Sequence, residues 1–321
     1  MNTINWGIIG AGDVAEVKSG PAFQKVENSN LIAVMRRNAG KAKNFAERHK
    51  VPFWYDSIDD LLANKEINAV YIATPPSTHL EIAKKCLAAK KLIYLEKPMT
   101  LNAEEAAALN KIVAKNDTIV VAHYRRKLLP FLKVKELIDS NIIGDIMFAD
   151  IQILQSNEND IITKTEDHWR LKPAISGGGY FNDIAPHQID LMYYYFGEIE
   201  NSTGFSHSSK NNKVDDLVNG IINFKNGVQF RGVWNFNANE RETKDECKIY
   251  GTKGSITFSF YGEKVILTSD EKNEVFKFTN PKNIQQPMIE ATVNYFLKKT
   301  ENPCTVKEGL EVMKVIDSFI N

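Results

Sequence analysis

The sequence contains little cysteine: Cys86, Cys247 and Cys304 are the only three among 321 residues, and they lie far apart. This excludes a dense disulfide framework and offers no metal-binding spacing, so we expect a reduced, cytoplasmic protein. Neither sign of charge is in excess, because lysine plus arginine and aspartate plus glutamate both number 40. That balance gives no general attraction to nucleic acid or an anionic membrane. No apolar run approaches the roughly 18 residues of a membrane-spanning helix, and we expect neither such a span nor a secretory signal.

Apolar segments of strand length alternate with amphipathic segments of helix length over the first 122 residues. The strand-like segments are 4–10, 30–35, 68–73, 91–96 and 118–122, and helical spacing is clear at 79–90 and 103–115. Such alternation predicts βαβ units and an α/β fold with a doubly wound parallel sheet covered on both faces.

The pattern changes after residue 122. One predicted helix at 129–140 is followed by alternating strand-like segments at 145–154, 216–224, 227–236, 246–252 and 254–260, and two further helices are predicted near 284–299 and 306–319. Asn226-Gly227 is a two-residue hairpin signal, so antiparallel pairing is expected. Because single cores stop growing near about 250–300 residues, we predict two domains, 1–122 and 123–321.

A glycine-spaced turn follows the first predicted strand at residues 10–15. Gly10 permits a tight turn, Gly12 lets a pyrophosphate approach the backbone, and Ala15 allows close packing of helix on strand. The helix that follows presents unpaired N–H groups to phosphates. A tight turn without a ligand is the alternative, and the βα units behind it favour the cofactor-binding interpretation. The candidate contacts of the turn are Gly10, Ala11, Gly12, Asp13 and Val14.

Glu96-Lys97-Pro98 lies at the carboxyl end of the fourth predicted strand. Ligands of open α/β sheets bind at that end of the strands, so we expect Lys97 to point towards a bound cofactor. A solvated lysine in a loop is the alternative.

Residues 176–190, SGGGYFNDIAPHQID, combine three glycines with a predicted helix start, and Asp183 is the expected helix cap. Helical spacing places four residues on a polar stripe opposite an apolar one: Asp183, His187, Asp190 and Tyr194. We therefore expect His187 to face either water or a cleft, and this segment alone does not choose between them. The glycines favour a cleft, because backbone without side chains suits close approach to a ligand.

Five segments, in this order, resemble the glucose-fructose oxidoreductase / inositol dehydrogenase family of nicotinamide-dependent sugar and polyol dehydrogenases: GIIGAGDVA, ATPPSTH, EKP, WR and GGGYFNDIAPHQID. The resemblance covers essentially the whole chain, including the C-terminal NPCTVKEGLEVMKVIDSF. It implies a dinucleotide-binding Rossmann domain followed by a substrate-binding α+β domain. The second domain is then built on a large, mostly antiparallel open sheet, which commonly mediates dimers in this family.

The resemblance also implies roles for individual residues. Lys97 corresponds to the family's catalytic lysine and also contacts cofactor and substrate, while Asp183 and His187 correspond to its acid and histidine. Lys97 can hydrogen-bond a developing alkoxide, and a histidine can transfer a proton near neutral pH. Which of the two transfers the proton is open, and Asp183 either binds a sugar hydroxyl or orients the imidazole. The other implied cofactor contacts are Thr74, Pro75, His79, Glu96, Trp169 and Arg170, and the other implied substrate contacts are Tyr124 and Arg125.

Arg36 and Arg37 end the second predicted strand, where an NAD-selective domain normally carries an acidic residue. The resemblance places an Asp-Arg pair there in NAD-dependent members. A guanidinium suits phosphate oxygens, and the carboxylate that repels a 2′-phosphate is missing. We therefore predict NADP(H) over NAD(H), with Arg36 as the main contact and Arg37 stacking on adenine. A solvated helix entry is the alternative.

These observations predict an NADP(H)-dependent oxidoreductase that moves a hydride between nicotinamide and a sugar, anhydro-sugar, inositol or related polyhydroxy compound. Two alternatives are a glycoside hydrolase that keeps its NAD bound and a non-catalytic nucleotide-binding sensor. The presence of Lys97, Asp183 and His187 together speaks against the sensor. No metal is expected, because hydride transfer to a bound cofactor needs none.

A homo-oligomer, a dimer or a tetramer, is also predicted. The strands between residues 216 and 260 are expected to form a broad sheet with one face on the predicted helices 182–197 and 284–299. We assign to the other face an excess of aromatic side chains that a partner subunit then covers: Phe224, Phe230, Trp234, Phe236, Phe258 and Phe260.

Overall fold

The computed structural model describes residues 2–12, 15–113, 118–156, 168–209 and 213–320. The chain forms two compact units, Met1–Leu128 with Pro281–Leu310 and Leu129–Asn280 with Glu311–Asn321. The domain boundary at residue 122 stays a prediction. The structure adds a feature that periodicity does not contain, because a segment near the C-terminus belongs to the first unit.

Six parallel strands form the sheet of the first unit: β1 (Ile4–Ile9), β2 (Ser29–Met35), β3 (Phe53–Tyr55), β4 (Ala69–Ile72), β5 (Leu92–Leu95) and β6 (Ile119–Val121). Their order is β3-β2-β1-β4-β5-β6, the doubly wound order of a Rossmann fold. All residues of β4 and β6 are buried, as expected of parallel strands covered on both faces. The predicted parallel α/β sheet is confirmed.

The helices between these strands are α1 (Gly20–Phe23), α2 (Ala39–His49), α3 (Ile58–Ala63), α4 (His79–Ala88) and α5 (Ala103–Val113). Polar caps begin two of them: Asn38 accepts from the Lys41 N–H at the start of α2, and Ser57 accepts from the Asp60 N–H at the start of α3. The helix expected after the glycine turn differs from prediction. Residues 15–19 form a π-helical turn that leads into the four-residue α1, in which Pro21 has no N–H to continue regular bonding.

The second unit contains α6 (Leu129–Asp139), β7 (Ile146–Leu154), α7 (Pro173–Ser176), α8 (Tyr180–Phe196), β8 (Ile199–His207), β9 (Leu217–Phe224), β10 (Gln229–Asn235), β11 (Lys244–Gly251), β12 (Gly254–Phe258), β13 (Lys264–Ser269) and β14 (Asn273–Lys277). The eight strands form one sheet in the order β14-β13-β12-β11-β7-β10-β9-β8. Only the β7–β10 pair is parallel within the described sheet, so the predicted antiparallel character is confirmed. Gly227, with φ of +87°, makes the predicted hairpin turn between β9 and β10.

The chain then forms α9 (Gln286–Phe296) and α10 (Val306–Ile320). Residues 281–310 return to the first unit and pack against both ends of its sequence. The ring of Phe296 lies 5.8 Å from that of Trp6 in β1, and the Val121 N–H of β6 donates to the Cys304 carbonyl at 3.0 Å. The described part of the molecule contains no helix that is long and apolar enough to cross a membrane. Nor does it contain a group of three or more His, Cys, Asp or Glu side chains suited to a metal ion.

The aromatic side chains assigned to the exposed sheet face are instead the core of the second unit. All six, Phe224, Phe230, Trp234, Phe236, Phe258 and Phe260, are buried, so this prediction was wrong. The reason is the space that two glycines leave: a Cβ at Gly220 would lie 2.1 Å from the Phe319 ring, and one at Gly232 would lie 2.4 Å from the Trp234 ring. The face that carries the aromatic residues is therefore the face that packs on α8, where the Phe181 and Trp234 rings are 5.2 Å apart.

Helix α8 also differs from its predicted form. It begins at Tyr180 with Gly179 as its N-cap, so Asp183 lies in its first turn and is not the cap. The polar stripe expected to face water or a cleft is largely buried, with His187 only 4% and Asp190 only 1% exposed. The cause is that more than one neighbouring element covers α8. α8 packs on the sheet, and the Tyr195 hydroxyl donates to the Phe131 carbonyl of α6.

Candidate functional site

Four neighbouring strands bring the predicted cofactor contacts of the first unit to one edge of its sheet. β2, β1, β4 and β5 lie side by side in this order. Arg36, Gly10, Thr74 and Lys97 each follow one of these strands within two residues. Because parallel strands all end at the same edge, the four residues form a row along the carboxyl side of the sheet, where α/β proteins bind ligands.

The glycine turn has two glycines with different surroundings. Gly10 has φ of +94°, and a Cβ there would lie 2.8 Å from Thr74 Cγ2 and 2.9 Å from the Ala73 carbonyl. Among the described residues, a Cβ at Gly12 would meet only the Gly10 carbonyl oxygen, at 3.9 Å. Gly10 is therefore required by the fold, whereas Gly12 leaves its outer side open to something outside the protein. Asp13 and Val14 lie outside the described residues.

Arg36 lies beside this turn. Its Nη1 donates to the Ala11 carbonyl at 3.3 Å, and the N–H groups of Gly10 and Ala11 donate to the Met35 carbonyl at 3.0 and 3.2 Å. In the described parts of the chain, neither Arg36 nor Arg37 has a carboxylate partner. Arg36 is half-buried and Arg37 is exposed. Among the residues that the structure describes, the Arg36 guanidinium is thus held next to the glycine turn without a carboxylate partner.

His79 joins two loops of this edge. Its Nε2 lies 2.7 Å from the Thr74 carbonyl oxygen, and its Nδ1 lies 3.0 Å from that of Pro98. The side chain is fully buried, and burial lowers the pKa of His79 against the opposing effects of the Thr74 carbonyl and the Glu96 charge. The structure therefore places His79 behind the row, where it links the Thr74–Pro75 segment to the loop that carries Lys97.

Glu96, expected among the cofactor contacts, has other partners. Its Oε1 accepts from the Tyr71 hydroxyl and from Gln285 Nε2, the latter at 2.7 Å, and its Oε2 accepts from the Lys97 N–H at 3.0 Å. The residue is 6% exposed. Both oxygens are thus occupied by protein donors. Lys97 is half-buried directly beyond it, at a cis peptide bond to Pro98.

Tyr124 and Arg125, the predicted substrate contacts of the first unit, lie in a 3₁₀ turn that follows β6. Both are buried, and the guanidinium carbon of Arg125 lies 5.4 Å from the centre of the Tyr124 ring. The next residue anchors the turn, because Arg126 Nη1 donates to Glu308 Oε1 at 2.6 Å. Burial alone would raise the pKa of Glu308, but the Arg126 charge and hydrogen bonds from Thr305 outweigh it and lower that pKa.

In the second unit, Asp183 is paired with Arg170. Arg170 Nε donates to Asp183 Oδ2 at 2.7 Å, and the guanidinium stacks on Trp169 with its carbon 4.4 Å from the ring centre. Both charged side chains are largely buried. The two predicted motifs WR and Asp-x-x-x-His therefore meet in one cluster, which sequence spacing did not indicate. His187 follows one helical turn after Asp183.

The backbone conformation and the packing within this unit explain why three glycines precede α8. Gly177 and Gly179 adopt φ of +89° and +85°, and a Cβ at Gly179 would lie 2.7 Å from Val214 Cβ. At Gly178 a Cβ would lie 2.4 Å from Asn182 Oδ1. Tight packing at the helix start therefore explains these glycines, and they are not evidence that a ligand approaches the backbone there.

Sequence reasoning missed Tyr71 and Gln285, which hold Glu96. Tyr71 lies in the otherwise apolar β4, and a tyrosine in a buried strand signals that its hydroxyl has an internal partner. Gln285 gives no local signal, since it is 189 residues away from Glu96 along the chain. Only the return of residues 281–310 to the first unit brings the two together.

Models of two known domains match this chain. Residues 4–124 match the oxidoreductase family with an NAD-binding Rossmann fold, and residues 131–257 match the GFO/IDH/MocA C-terminal domain. The chain belongs to the GFO/IDH/MocA family of oxidoreductases. The family resemblance expected from the sequence is thereby confirmed.

Individual relatives within the GFO/IDH/MocA family agree with this. The chain is 54% identical over 318 residues to oxidoreductase P35 of Formosa agariphila, covering 98% of each. It is 29% identical over 297 residues to levoglucosan dehydrogenase of Pseudarthrobacter phenanthrenivorans, covering 81% of this chain and 74% of the relative. A solved structure of a levoglucosan dehydrogenase with NADH and levoglucosan has the same fold, with a TM-score of 0.86 at 22% identity over 99% of this chain and 96% of that one.

Proposed function

We propose that this protein is an NADP(H)-dependent oxidoreductase that transfers a hydride between nicotinamide and a sugar, anhydro-sugar, inositol or related polyhydroxy compound. The observation that carries the proposal is the row formed by Arg36, the Gly10–Gly12 turn, Thr74 and Lys97 along the carboxyl edge of the Rossmann sheet. Relatives named levoglucosan dehydrogenase and myo-inositol 2-dehydrogenase support the substrate class.

The residues of this row fit a dinucleotide. The open side of Gly12 would accommodate a diphosphate against backbone, and Thr74, which Pro75 follows, borders the same turn, since a Cβ at Gly10 would lie 2.8 Å from Thr74 Cγ2. When bound, the nicotinamide supplies or accepts the hydride. The protein's part is to hold the dinucleotide by backbone and guanidinium donors and to place Lys97 at the end of β5.

The preference for NADP(H) rests on Arg36. In NAD-selective Rossmann domains, a carboxylate at the end of β2 holds the ribose. In this protein the same position carries the half-buried guanidinium of Arg36. Its bond to the Ala11 carbonyl keeps it beside the glycine turn. A planar fork of N–H donors at this place suits a 2′-phosphate, and exposed Arg37 adds a second positive charge.

Lys97 has the chemistry for the oxygen of the substrate. Its ammonium donates hydrogen bonds and carries positive charge, so it stabilises an alkoxide better than a neutral carbonyl. The Glu96 carboxylate fixes the Lys97 backbone through the N–H bond. Lys97 therefore lowers the barrier by acting on charge that develops during the reaction.

His187 and Asp183 are the proposed proton-handling residues of the second unit. An imidazole can hold or release a proton near neutral pH. Asp183 is bonded to Arg170, which orients its carboxylate, and a carboxylate oxygen can accept a hydrogen bond from a sugar hydroxyl. Trp169, stacked on Arg170, gives this cluster an aromatic surface of the kind that packs on sugar rings.

A turnover screen tests the proposal. The purified protein is incubated with inositols, aldoses, ketoses and anhydro-sugars and with NADP⁺ or NAD⁺, and formation of the reduced nicotinamide is followed by absorbance. We expect turnover with at least one sugar and a higher kcat/KM for NADP⁺. Lys97→Ala and His187→Ala should each lower kcat by about a hundredfold or more while NADPH still binds. Cleavage of a glycoside without net change in the cofactor, or full activity in both variants, would refute the proposal.

A further inference from the structure

The Glu96 carboxylate receives hydrogen bonds from three separate parts of the first unit. Tyr71 comes from β4, Gln285 from the returning segment, and the Lys97 N–H from the loop after β5. Burial raises the pKa of Tyr71 well above its ordinary value, so its hydroxyl stays protonated and donates. Glu96 is thus held from two sides on Oε1 while its Oε2 holds the backbone of Lys97.

Gln285 is rigidly placed for this contact. It is 1% exposed at the N-cap position of α9, and its Nε2 donates to Glu96 Oε1 at 2.7 Å. Its own Oε1 accepts from the Tyr94 hydroxyl at 3.3 Å. A carboxylate only accepts hydrogen bonds and the tyrosine hydroxyl donates here, so only one orientation of the amide satisfies both neighbours.

Two hydrogen bonds connect Gln285 to the row of residues at the sheet edge. Gln285 donates to the Glu96 carboxylate, and the same carboxylate accepts from the Lys97 N–H. A change at Gln285 alters the position of the Glu96 carboxylate, and the carboxylate is bonded to the peptide N–H of Lys97 itself. Small displacements of a group that acts on developing charge cost much rate, because such interactions depend steeply on geometry. The hydrogen bonds described for the Gln285 side chain go to Glu96 and Tyr94 and not to the described part of the glycine turn or to Arg36, so we expect cofactor affinity to depend little on it.

We propose that Gln285 is a positioning residue for Lys97 and acts through Glu96; this rests on the proposed role of Lys97 in hydride transfer. The segment 281–310 thus does more than cover the Rossmann sheet. It supplies the donor that holds the lysine loop in its working geometry.

The kinetic test compares Gln285→Met with a control in the same segment. Methionine keeps the length and loses both hydrogen bonds. The control is Asn283→Ala, which removes the contact of Lys25 Nζ with Asn283 Oδ1 at 2.7 Å and leaves Glu96 untouched. We expect Gln285→Met to lower kcat about tenfold or more with the NADPH Kd changed less than about twofold, and the control to keep kcat. Equal loss of kcat in both variants, or none in Gln285→Met, would overturn the proposal.

A double-mutant cycle tests the route through Glu96. In a Glu96→Gln background, Gln285→Met should lower kcat by less than about twofold further, because the group it acts on has been changed. Full additivity of the two effects would contradict transmission through Glu96. If Gln285→Met does not fold, Tyr71→Phe removes the other donor to the same oxygen and takes its place in the cycle.

A second readout does not depend on knowing the substrate. Lysines are methylated with a ¹³C label, and the NMR signal of Lys97 is identified by its loss in Lys97→Arg. We expect its chemical shift and pH titration to change in Gln285→Met and to match wild type in Asn283→Ala. An unchanged Lys97 signal in Gln285→Met overturns the positioning role even if no sugar is turned over. A changed signal without turnover supports the positioning role and counts against the proposed function alone.

Discussion

Gly10 and Gly12 are two residues apart and respond differently to the same substitution. Gly10→Ala places a Cβ within 2.9 Å of the Ala73 carbonyl at a positive φ. We expect it to lower the free energy of unfolding by about 1–3 kcal/mol. Gly12→Ala should unfold at nearly the wild-type temperature and weaken NADPH binding at least about tenfold, because the new methyl group occupies the open side of the turn. Thermal melts and calorimetric titration separate the two effects. Unchanged NADPH affinity in Gly12→Ala would remove this turn from the cofactor site.

Arg36 is the residue on which cofactor choice depends. Arg36→Asp replaces the donor beside the Ala11 carbonyl with a carboxylate, so we expect NADPH binding to weaken by about 2–3 kcal/mol and NADH binding to weaken less or improve. The ratio of dissociation constants for the two cofactors, measured by fluorescence titration, is the readout. Lys43→Asp makes the same charge change at an exposed position of α2 and should leave that ratio unaltered. A wild-type preference for NADH would show that this interpretation of the β2 end is wrong.

At the level of the element, the Arg126–Glu308 pair ties the turn after β6 to the start of α10. The pKa of Glu308 is lower in the folded protein than in the unfolded chain. Its stabilising contribution is therefore complete above the unfolded value of about 4.3 and is lost as the pH falls through the folded value. We expect Glu308→Gln to lower the free energy of unfolding by about 1–3 kcal/mol at neutral pH, since the buried Arg126 guanidinium then loses its carboxylate counter-charge.

Denaturant melts over a pH series check this. The stability difference between Glu308→Gln and wild type should shrink below about pH 4 and persist at higher pH. Lys314→Met breaks a solvent-exposed pair with Glu311 on the same helix and serves as the control, with an expected effect within about 0.5 kcal/mol. A difference that stays constant down to acid pH would assign the effect to packing and not to the ion pair.

For the whole molecule, we propose a two-fold dimer. Its subunits meet through the outer face of the eight-stranded sheet, which is the face that points away from α8. The aromatic residues first assigned to that face lie in the core, but the face still presents apolar side chains to solvent. Phe205 is 80% exposed, and Ile221 and Ile266 lie on exposed positions of β9 and β13. Exposed apolar residues on three strands of one sheet suit a subunit contact.

Sedimentation velocity tests the dimer. We expect a species of about twice 36.3 kDa for the wild type, and dissociation in Phe205→Asp. Met147→Asp makes a similar change at an exposed apolar position whose strand alternation points to the opposite face, so it should leave the dimer intact. A wild-type protein that sediments as a monomer at micromolar concentration would contradict the proposal.

The sequence by itself determined the class of each unit's sheet, parallel in the first and mostly antiparallel in the second, although β3, β8, β13 and β14 are not among the predicted strands. Strand and helix periodicities are local properties: "INWGII" and "AVYI" are largely buried strands because nearly all their residues are apolar, and Asn226-Gly227 turns because glycine tolerates positive φ. It also placed Gly10, Arg36, Thr74 and Lys97 at strand ends, since the carboxyl ends of parallel strands share one edge.

Only the tertiary structure decided which partners those residues have. Alternation along a strand shows that Phe230 and Trp234 share a face, but the choice of face depended on the room that Gly220 and Gly232 leave for aromatic rings. The pairing of Asp183 with Arg170 and of Glu96 with Gln285 joins residues 13 and 189 positions apart. Such contacts follow from how whole elements pack, and the energies of packing depend on side chains that are distant in the sequence, so no local pattern contains them.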